Sequence, residues 1–499
     1  MKEFRYKHFR SYIMRVLLFL STIMTLGTFA QEQPPLMFDN EQAITFKTQD
    51  SQQVAAFSGF ITVPENRNQA DSRDIRIHYV RFPATTKTPG SPIIYLSGGP
   101  GGSGIKTAEY ANFRFPLFMA LREFGDVIAL DQRGTGKSDA LPTCHSSIST
   151  HSAKQQTDVE VAHLYQRAAL ECVTFWQQQG IDIKGYTTEQ SAKDLNDLRR
   201  HLKADKLTLW GISYGTHLAL AATKTMPNNL DKLVLASVEG LDQTVKLPAQ
   251  TDAYFARVQK AINTQPESKG LYPDVAGLIR RVHKRLETAP ITLHISDDKG
   301  KKTDFLFQRW HMQRLASGMI ADPHRGLKRL LALYQALDME VIEPLQHIAN
   351  RGYFSEAQIN FRLMPLAMDI ASGITQQRLE QVNHQSGSAL LGPYLNFPMP
   401  QLQGVIDRLD LGDEFRAPPV SDVPTLVLSG SLDGRTYPQS QREAVKHFSR
   451  VTQVIIENAG HNLFMRSPEV TQTIRRFLAG ESVNEQKIRV PLPDLLIKR

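Results

Sequence analysis

A serine lies between two glycines directly after a short apolar run. The run is Leu207–Trp210, the string GISYG occupies residues 211–215, and a helix-compatible stretch begins near Thr216. Glycine at both ends permits a turn between strand and helix that is too tight for a Cβ atom. The Ser213 hydroxyl would then stand at the carboxyl edge of a sheet, beside the positive end of a helix, where a nucleophile belongs. A glycine-lined turn with an idle serine is the alternative interpretation.

Two polar residues could activate this serine, because each follows an apolar run of its own. Asp433 comes shortly after Thr425–Leu428, and His461 comes shortly after Val454–Ile456 with a glycine immediately before it. A serine hydroxyl needs a base to become nucleophilic, and the base needs an orienting carboxylate. We predict that Asp433 fixes the tautomer of His461, which takes the proton from Ser213. The alternative is a pair of surface loops without a catalytic role.

A glycine-rich loop could stabilise the oxyanion that such a reaction forms. The loop SGGPGGSG occupies residues 97–104, directly after the apolar run Ile93–Leu96. An oxyanion needs backbone N–H donors fixed in advance, and glycines let the backbone approach the substrate closely. We predict the N–H groups of Gly99 and Tyr214 as the two donors. A flexible turn is the other interpretation.

One string resembles a phosphate-binding loop but fails the pattern. GTGKS at residues 134–138 lacks the glycine that such a loop requires five positions before Gly136, where Asp131 stands instead. The string follows the apolar run Val127–Leu130. We therefore predict a structural loop in which Arg133 pairs with nearby carboxylates.

The elements around these residues predict a mostly parallel sheet. Short apolar runs bounded by glycine or polar turns alternate with helical patterns such as Thr188–Leu202, which indicates an α/β fold. Residues 31–90 have a period of two in polarity and predict antiparallel strands at an edge. Between residues 243 and 419 helical periodicity dominates, so we predict a helical cap inserted between two halves of one sheet domain. The halves are residues 31–242 and 420–499.

Composition excludes several classes of protein. Hydrophobic residues make up 41% and charged residues 22% of the 499 residues, which describes a globular chain and excludes disorder or low complexity. The net charge of +8 forms no basic tract, and no nucleic-acid-binding string occurs, so no nucleic-acid partner is predicted. The 2 cysteines cannot form a structural zinc site and no HExxH string occurs, so no metal or cofactor is predicted.

The first thirty residues predict export. Residues 1–30 combine a basic start, an apolar run at Val16–Leu26 and a small-residue site ending at Ala30, which are the three parts of a signal peptide. The run is shorter than the roughly 20 residues that span a bilayer, so we expect cleavage rather than a retained membrane anchor. The protein would then be periplasmic or secreted, and Cys144 and Cys172 would form a disulfide.

Five strings together resemble the motifs of a known superfamily. In their order along the chain they are SGGPGGSG, DQRGTGKS, GISYG, SGSLDG and NAGH. The chain resembles the α/β hydrolases, and within them the prolyl and tripeptidyl aminopeptidase family of serine peptidases. The likeness runs from about Ile93 to Glu239 and from Asp422 to Leu478. Ser97 stands where the family's glycine loop often begins with His, and the predicted cap lacks the extra cysteines of secreted relatives.

This resemblance implies an exported aminopeptidase that releases N-terminal residues or short peptides through an acyl-enzyme. A carboxylesterase with the same triad is the alternative, and a non-catalytic binding protein is a third hypothesis. An aminopeptidase must bind the substrate ammonium with carboxylates. Glu239, just after an apolar run, and Asp369, in the predicted cap, are the candidates, although either could be an ordinary structural acid.

Overall fold

Ten strands form one central sheet in the compact unit that spans Met37–Arg499. The computed structural model describes residues 36–497 apart from 140, 153, 297–299, 301 and 355–356, so the predicted signal peptide lies outside the described residues. The strands are β1 Gln42–Lys47, β2 Gln53–Pro64, β3 Asp74–Phe82, β4 Ile93–Leu96, β5 Val127–Leu130, β6 Cys144–Ser149, β7 Leu207–Ile212, β8 Leu230–Ala236, β9 Ile291–Ser296, β10 Lys302–Phe307, β11 Gln358–Phe361, β12 Thr425–Gly430, β13 Val451–Glu457 and β14 Lys487–Arg489.

The sheet order is β1-β2-β3-β5-β4-β7-β8-β12-β13-β14. The neighbouring strands from β5 to β14 pair in parallel, whereas β1, β2, β3 and β5 pair antiparallel at one edge. The predicted fold class and the predicted antiparallel edge are therefore confirmed. Because the carboxyl ends of the parallel strands share one edge, residues that follow β4, β7, β12 and β13 can meet there.

Helices cover both faces of this sheet. The helices are α1 Gly104–Ala108, α2 Phe115–Leu121, α3 Asp158–Gln178, α4 Thr188–His201, α5 Tyr214–Thr225, α6 Pro248–Ile262, α7 Pro266–Leu271, α8 Val275–Thr288, α9 Arg309–Met319, α10 Lys328–Asp338, α11 Glu343–Asn350, α12 Leu363–Ser372, α13 Gln376–Ser386, α14 Gly412–Arg416, α15 Pro438–Ala444 and α16 Pro468–Leu478. In β4, Ile93 and Tyr95 pack with α1, α2 and α16, whereas Ile94 and Leu96 pack with α4 and α5. This alternation explains why the strand is apolar at every position.

The segment between β8 and β12 is mainly helical and has a hydrophobic core of its own. Side chains of α6, α8, α9 and α10 form that core, and Leu432 and Tyr437 beside Asp433 join it. The segment also contains the antiparallel hairpin β9–β10, which the helical interpretation of the sequence missed. In β9 the polar and apolar residues alternate, which is the period of a half-buried strand.

A small sheet links residues 144–178 to this segment, and a disulfide joins two elements within residues 144–178. β6 pairs antiparallel with β11, with Cys144 opposite Phe361. Cys144 bonds to Cys172 of α3, with a Cα–Cα distance of 5.6 Å, so the predicted disulfide is confirmed. Within the described part of the chain, no helix combines the length and the hydropathy that crossing a membrane requires.

Candidate active site

Ser213 occupies a sharp turn between β7 and α5. Its φ of 55° and ψ of −127° lie outside the ordinary regions for a residue with a side chain, so its backbone is strained. A Cβ on Gly211 would stand 2.7 Å from the carbonyl oxygen of Gly215, and a Cβ on Gly215 would collide with the carbonyl oxygen of Leu96. Both glycines are therefore required for α5 to approach the sheet, as the predicted tight turn between strand and helix implies.

Asp433 and His461 lie together at the same edge of the sheet. The Nδ1 atom of His461 is 2.9 Å from Oδ2 of Asp433, whose side chain is fully buried. Asp433 also accepts hydrogen bonds from the N–H of Arg435 at 2.7 Å and from the N–H and hydroxyl of Thr436 at 3.0 and 2.7 Å. Burial raises the pKa of Asp433, but the charge and hydrogen bond of His461 and the bonds from Thr436 outweigh it and hold the pKa below its usual range. Asp433 is therefore a fixed anion behind His461.

The backbone of His461 is held from two sides. Its N–H donates to the carbonyl oxygen of Ala321 at 2.8 Å, and its carbonyl oxygen accepts from the Ser237 hydroxyl at 2.8 Å. Ser237 follows β8 and Ala321 belongs to the helical segment, so both parts of the molecule position the imidazole. Its side chain keeps 14% exposure.

Ser213 and His461 line one cavity of about 490 Å³. Among the hydrogen bonds of the described residues, none joins their side chains. Catalytic hydrogen bonds often tighten only in the complex with substrate, so the shared cavity is the geometry that bears on catalysis.

The glycine loop after β4 lies directly against Ser213. A Cβ on Gly98 would stand 3.0 Å from the Cβ of Ser213, and Gly99, which also lines the cavity, has a φ of 130° that favours glycine. Gln132 donates to the carbonyl oxygen of Ser97 at 3.0 Å and anchors the loop. Tyr214 is the first residue of α5, so its N–H has no acceptor within the helix. Gly99 thus lines the same cavity as Ser213 and Tyr214 is the next residue in the chain, while the sequence does not predict the close contact of Gly98 with Ser213.

The two carboxylates considered for ammonium binding differ in their placement. Glu239 lines the Ser213 cavity, and its Oε2 accepts from Nζ of Lys246 at 2.7 Å. Burial raises the pKa of Glu239, but the charge and hydrogen bond of Lys246 together with the charges of His217 and Arg435 outweigh it and lower the pKa. Asp369 is only half-buried on α12 and is not among the residues described as lining this cavity. Burial and the charge of Glu239 raise the pKa of Asp369 to about 7.

Three basic residues of the cavity carry no sequence motif. Arg114, Lys246 and Arg435 line it together with Ser213 and His461. Arg133, which the sequence assigned to structure, is fully buried and forms an ion pair with Asp194 at 2.6 Å, which confirms that assignment. Within the described part of the chain, no group of three or more His, Cys, Asp or Glu side chains is placed to hold a metal ion.

The sheet order, the turn at Ser213 and the placement of Asp433 and His461 define the class of protein. Residues 91–284 match the family model of the alpha/beta hydrolase fold, and the chain has that fold.

Several curated proteins are similar to part of this chain. The serine protease Hip1 of Mycobacterium tuberculosis is 29% identical over 36% of the chain and 35% of its own length. The tripeptidyl aminopeptidase of Streptomyces coelicolor is 26% identical over 36% of the chain and 34% of its own length. The proline iminopeptidase of Arabidopsis thaliana is 30% identical over 42% of the chain and 43% of its own length. The matches therefore span less than half of these relatives, whose names are those of peptidases.

Proposed function

We propose that this protein is an exported serine hydrolase, and specifically an aminopeptidase that releases N-terminal residues or short N-terminal peptides. The observation that carries the proposal is one cavity lined by Ser213 in its strained turn, by the glycine loop and by His461 with buried Asp433 behind it. The peptidase names of the similar proteins support the choice of substrate class. Export is supported by the disulfide, which persists in oxidising compartments.

The chemistry follows from the positions of these groups. The Ser213 hydroxyl attacks the substrate carbonyl while Nε2 of His461 removes its proton. Asp433 accepts the hydrogen bond from Nδ1 and stabilises the imidazolium that forms. The N–H groups of Gly99 and Tyr214 stabilise the oxyanion of the tetrahedral intermediate. His461 then protonates the leaving amine, the acyl-enzyme forms, and water activated by His461 releases the product.

Recognition of a free amine would fall to Glu239, and Asp369 would add negative charge nearby only above its pKa of about 7. Lys246 already neutralises Glu239, so the substrate ammonium would share or displace that ion pair. The same ion pair is the observation that favours the second candidate function, a carboxylesterase on small esters, because a paired Glu239 offers no free charge. Both functions use the same triad and differ only in the pocket.

The first experiment is a substrate panel of aminoacyl amides, N-blocked peptides and short acyl esters. Wild type should turn over the free-amine amides, and Ser213→Ala should lower turnover at least about 10⁴-fold. The double variant Ser213→Ala/His461→Ala should turn over substrate little more slowly than either single variant, because the two residues act as one unit. Turnover of esters alone would remove the aminopeptidase and leave the esterase, and additive losses in the double variant would contradict the shared unit.

The second experiment tests Glu239. Glu239→Gln should lower kcat/KM on free-amine substrates roughly 10- to 100-fold, the range for hydrogen bonds to charged groups, and spare simple esters. The matched control is Glu443→Gln, an exposed glutamate on α15 whose side chain accepts a hydrogen bond only from Gln439, at 3.2 Å, among the described residues. Equal losses on both substrate types, or none on either, would show that Glu239 does not bind the amine.

A further inference from the structure

Arg114 is a buried arginine on the wall of the Ser213 cavity. The residue lines the cavity but is only 1% exposed. The guanidinium carbon lies 4.3 Å from the ring centre of Phe113 and 4.7 Å from that of Phe464. Nη2 donates to Oδ1 of Asn462 at 3.3 Å, and the group also interacts with the Tyr95 hydroxyl. The buried Nε atom has no hydrogen-bond partner.

These contacts leave the charge of Arg114 uncompensated. Every group it touches is neutral, and among the described residues no Asp or Glu forms an ion pair with it. The charged group that acts on it is Arg466, which is also positive, and burial together with that charge lowers the pKa of Arg114. Aromatic rings stabilise such a cation by about 2 kcal/mol, which falls short of the several kcal/mol that burying an unpaired ion costs. A buried guanidinium with a free N–H is therefore poised for an anionic partner.

The other cations of the cavity are already occupied. Lys246 pairs with Glu239, and the Arg435 guanidinium donates to the carbonyl oxygens of Ser317 at 3.1 Å and Leu395 at 3.5 Å. Arg114 alone, among the described cationic side chains that line this cavity, lacks both a carboxylate and a backbone carbonyl partner. An anion that enters the cavity has its natural site there.

The position of Arg114 also identifies which part of a substrate it faces. Its hydrogen-bond acceptor, Asn462, directly follows His461, the group that protonates the leaving group in the proposed reaction. Glu239, the group proposed for the N-terminal amine, contacts Arg114 through no described interaction and pairs with Lys246 instead. Arg114 therefore belongs to the leaving-group side of the cavity.

We propose that Arg114 binds a carboxylate carried by the leaving group, so that this hydrolase prefers substrates with an acid on that side of the scissile bond. Resting on the proposed function, the inference adds the substrate class: a short peptide whose carboxylate reaches Arg114. That carboxylate has two possible sources, the free α-carboxylate of a dipeptide and the side chain of Asp or Glu after the scissile bond. A planar guanidinium suits either, because it can donate two parallel hydrogen bonds.

The test compares three substrates that share the N-terminal residue found best in the panel. They are the dipeptide Xaa–Gly with a free carboxylate, its C-terminal amide, and Xaa–Asp amide. Wild type should cleave at least one of the two acidic substrates with a kcat/KM roughly 10- to 100-fold above that of the neutral amide. The acidic substrate with the higher kcat/KM identifies the source of the carboxylate. If the panel gives turnover of esters only, glycolate and glycolamide esters make the same comparison.

Variants separate binding from folding. Arg114→Met should reduce the ratio of kcat/KM on the acidic substrate to kcat/KM on the neutral one to about 1. Arg114→Lys should keep part of the preference for the acidic substrate. The matched control is Arg122→Met, at the other end of α2, whose guanidinium donates to the carbonyl oxygen of Pro83 and should leave the ratio unchanged. Because the ratio is taken within each variant, a general loss of activity cancels.

Each outcome decides between the two proposals. Hydrolysis by wild type without preference for an acidic leaving group would overturn the role of Arg114 and leave the serine hydrolase intact, even if the variants fail to fold. A preference that survives in Arg114→Met would also overturn it. Absence of any Ser213-dependent hydrolysis would overturn the proposed function and, with it, this inference.

Discussion

Replacing Asp369 by Asn should stabilise the protein at pH 8 and change its stability little at pH 4. The native carboxyl of Asp369 holds its proton up to a pKa of about 7, whereas the reference value for the group is 3.8. Burial is the main cause, and the nearby Glu239 charge adds to it. A carboxyl whose folded pKa is raised contributes stability below its unfolded pKa and loses that contribution as the pH rises through its folded pKa. The amide of Asn resembles the protonated form and does not ionise.

The size of the effect follows from the two pKa values. A change from 3.8 to about 7 corresponds to at most about 4 kcal/mol, at about 1.4 kcal/mol for each unit of pH. Because Asp369 is only half-buried, solvent screening reduces this value, and we expect about 1–2 kcal/mol at pH 8. The difference between variant and wild type should open between pH 4 and pH 7 and stay constant above pH 7.

Urea unfolding at pH 4, 6 and 8 measures this difference, with the disulfide intact and the denaturant slope checked for constancy. The control is Asp407→Asn, which removes one negative charge from a side chain that is 87% exposed. A stabilisation of equal size at all three pH values would refute the reasoning, because it would show an effect of shape rather than of ionisation. Destabilisation at pH 8 would refute it as well, since it would reveal a favourable partner for the ionised carboxylate.

Three further perturbations test the fold and the triad. Gly215→Ala should destabilise the protein by about 1–3 kcal/mol, because its methyl group would collide with the β4 backbone, whereas Gly270→Ala, with open space around it, should cost little by thermal melting. Replacing both cysteines by serine should lower the free energy of unfolding in urea by about 3.5 kcal/mol, since the disulfide closes a chain separation of 28 residues. An unchanged free energy of unfolding would show that the disulfide does not stabilise the protein by restricting the unfolded chain. Asp433→Asn should lower kcat on the order of 10³- to 10⁴-fold with little change in KM, because the amide favours the wrong tautomer of His461; steady-state kinetics with unchanged kcat would exclude that role.

The fold and the principal site could be predicted because their signals are local. Each of Ser213, Asp433 and His461 follows an apolar run that forms a strand of the sheet, and parallel strands bring their carboxyl ends to one edge. The disulfide was predictable because the chain has only 2 cysteines. Spacing along the sequence is enough for such inferences.

The remaining features depend on contacts between distant parts of the chain. Arg114 is enclosed by Phe464 and hydrogen-bonded to Asn462, which lies 348 residues away in sequence, and no spacing rule connects them. The pairing of Lys246 with Glu239 was equally hidden, because a lysine seven residues after a glutamate has no fixed geometry outside a helix. Sequence therefore located Ser213, the proposed nucleophile, but not the charged side chains that surround its cavity.

If both substrate proposals hold, those charges favour a peptide over a neutral ester. Glu239 and Arg114 line the same cavity, one held by Lys246 and the other without a counter-ion. A small neutral ester would displace water from both groups but carries no negative charge to pair with Arg114. The free-energy cost of desolvating the guanidinium would therefore stay uncompensated. A short peptide with a free amine and a nearby acid carries the complementary charge for each. The two substrate proposals can fail separately, and a zwitterion whose ammonium shares Glu239 with Lys246 is the ligand that would contact both groups at once.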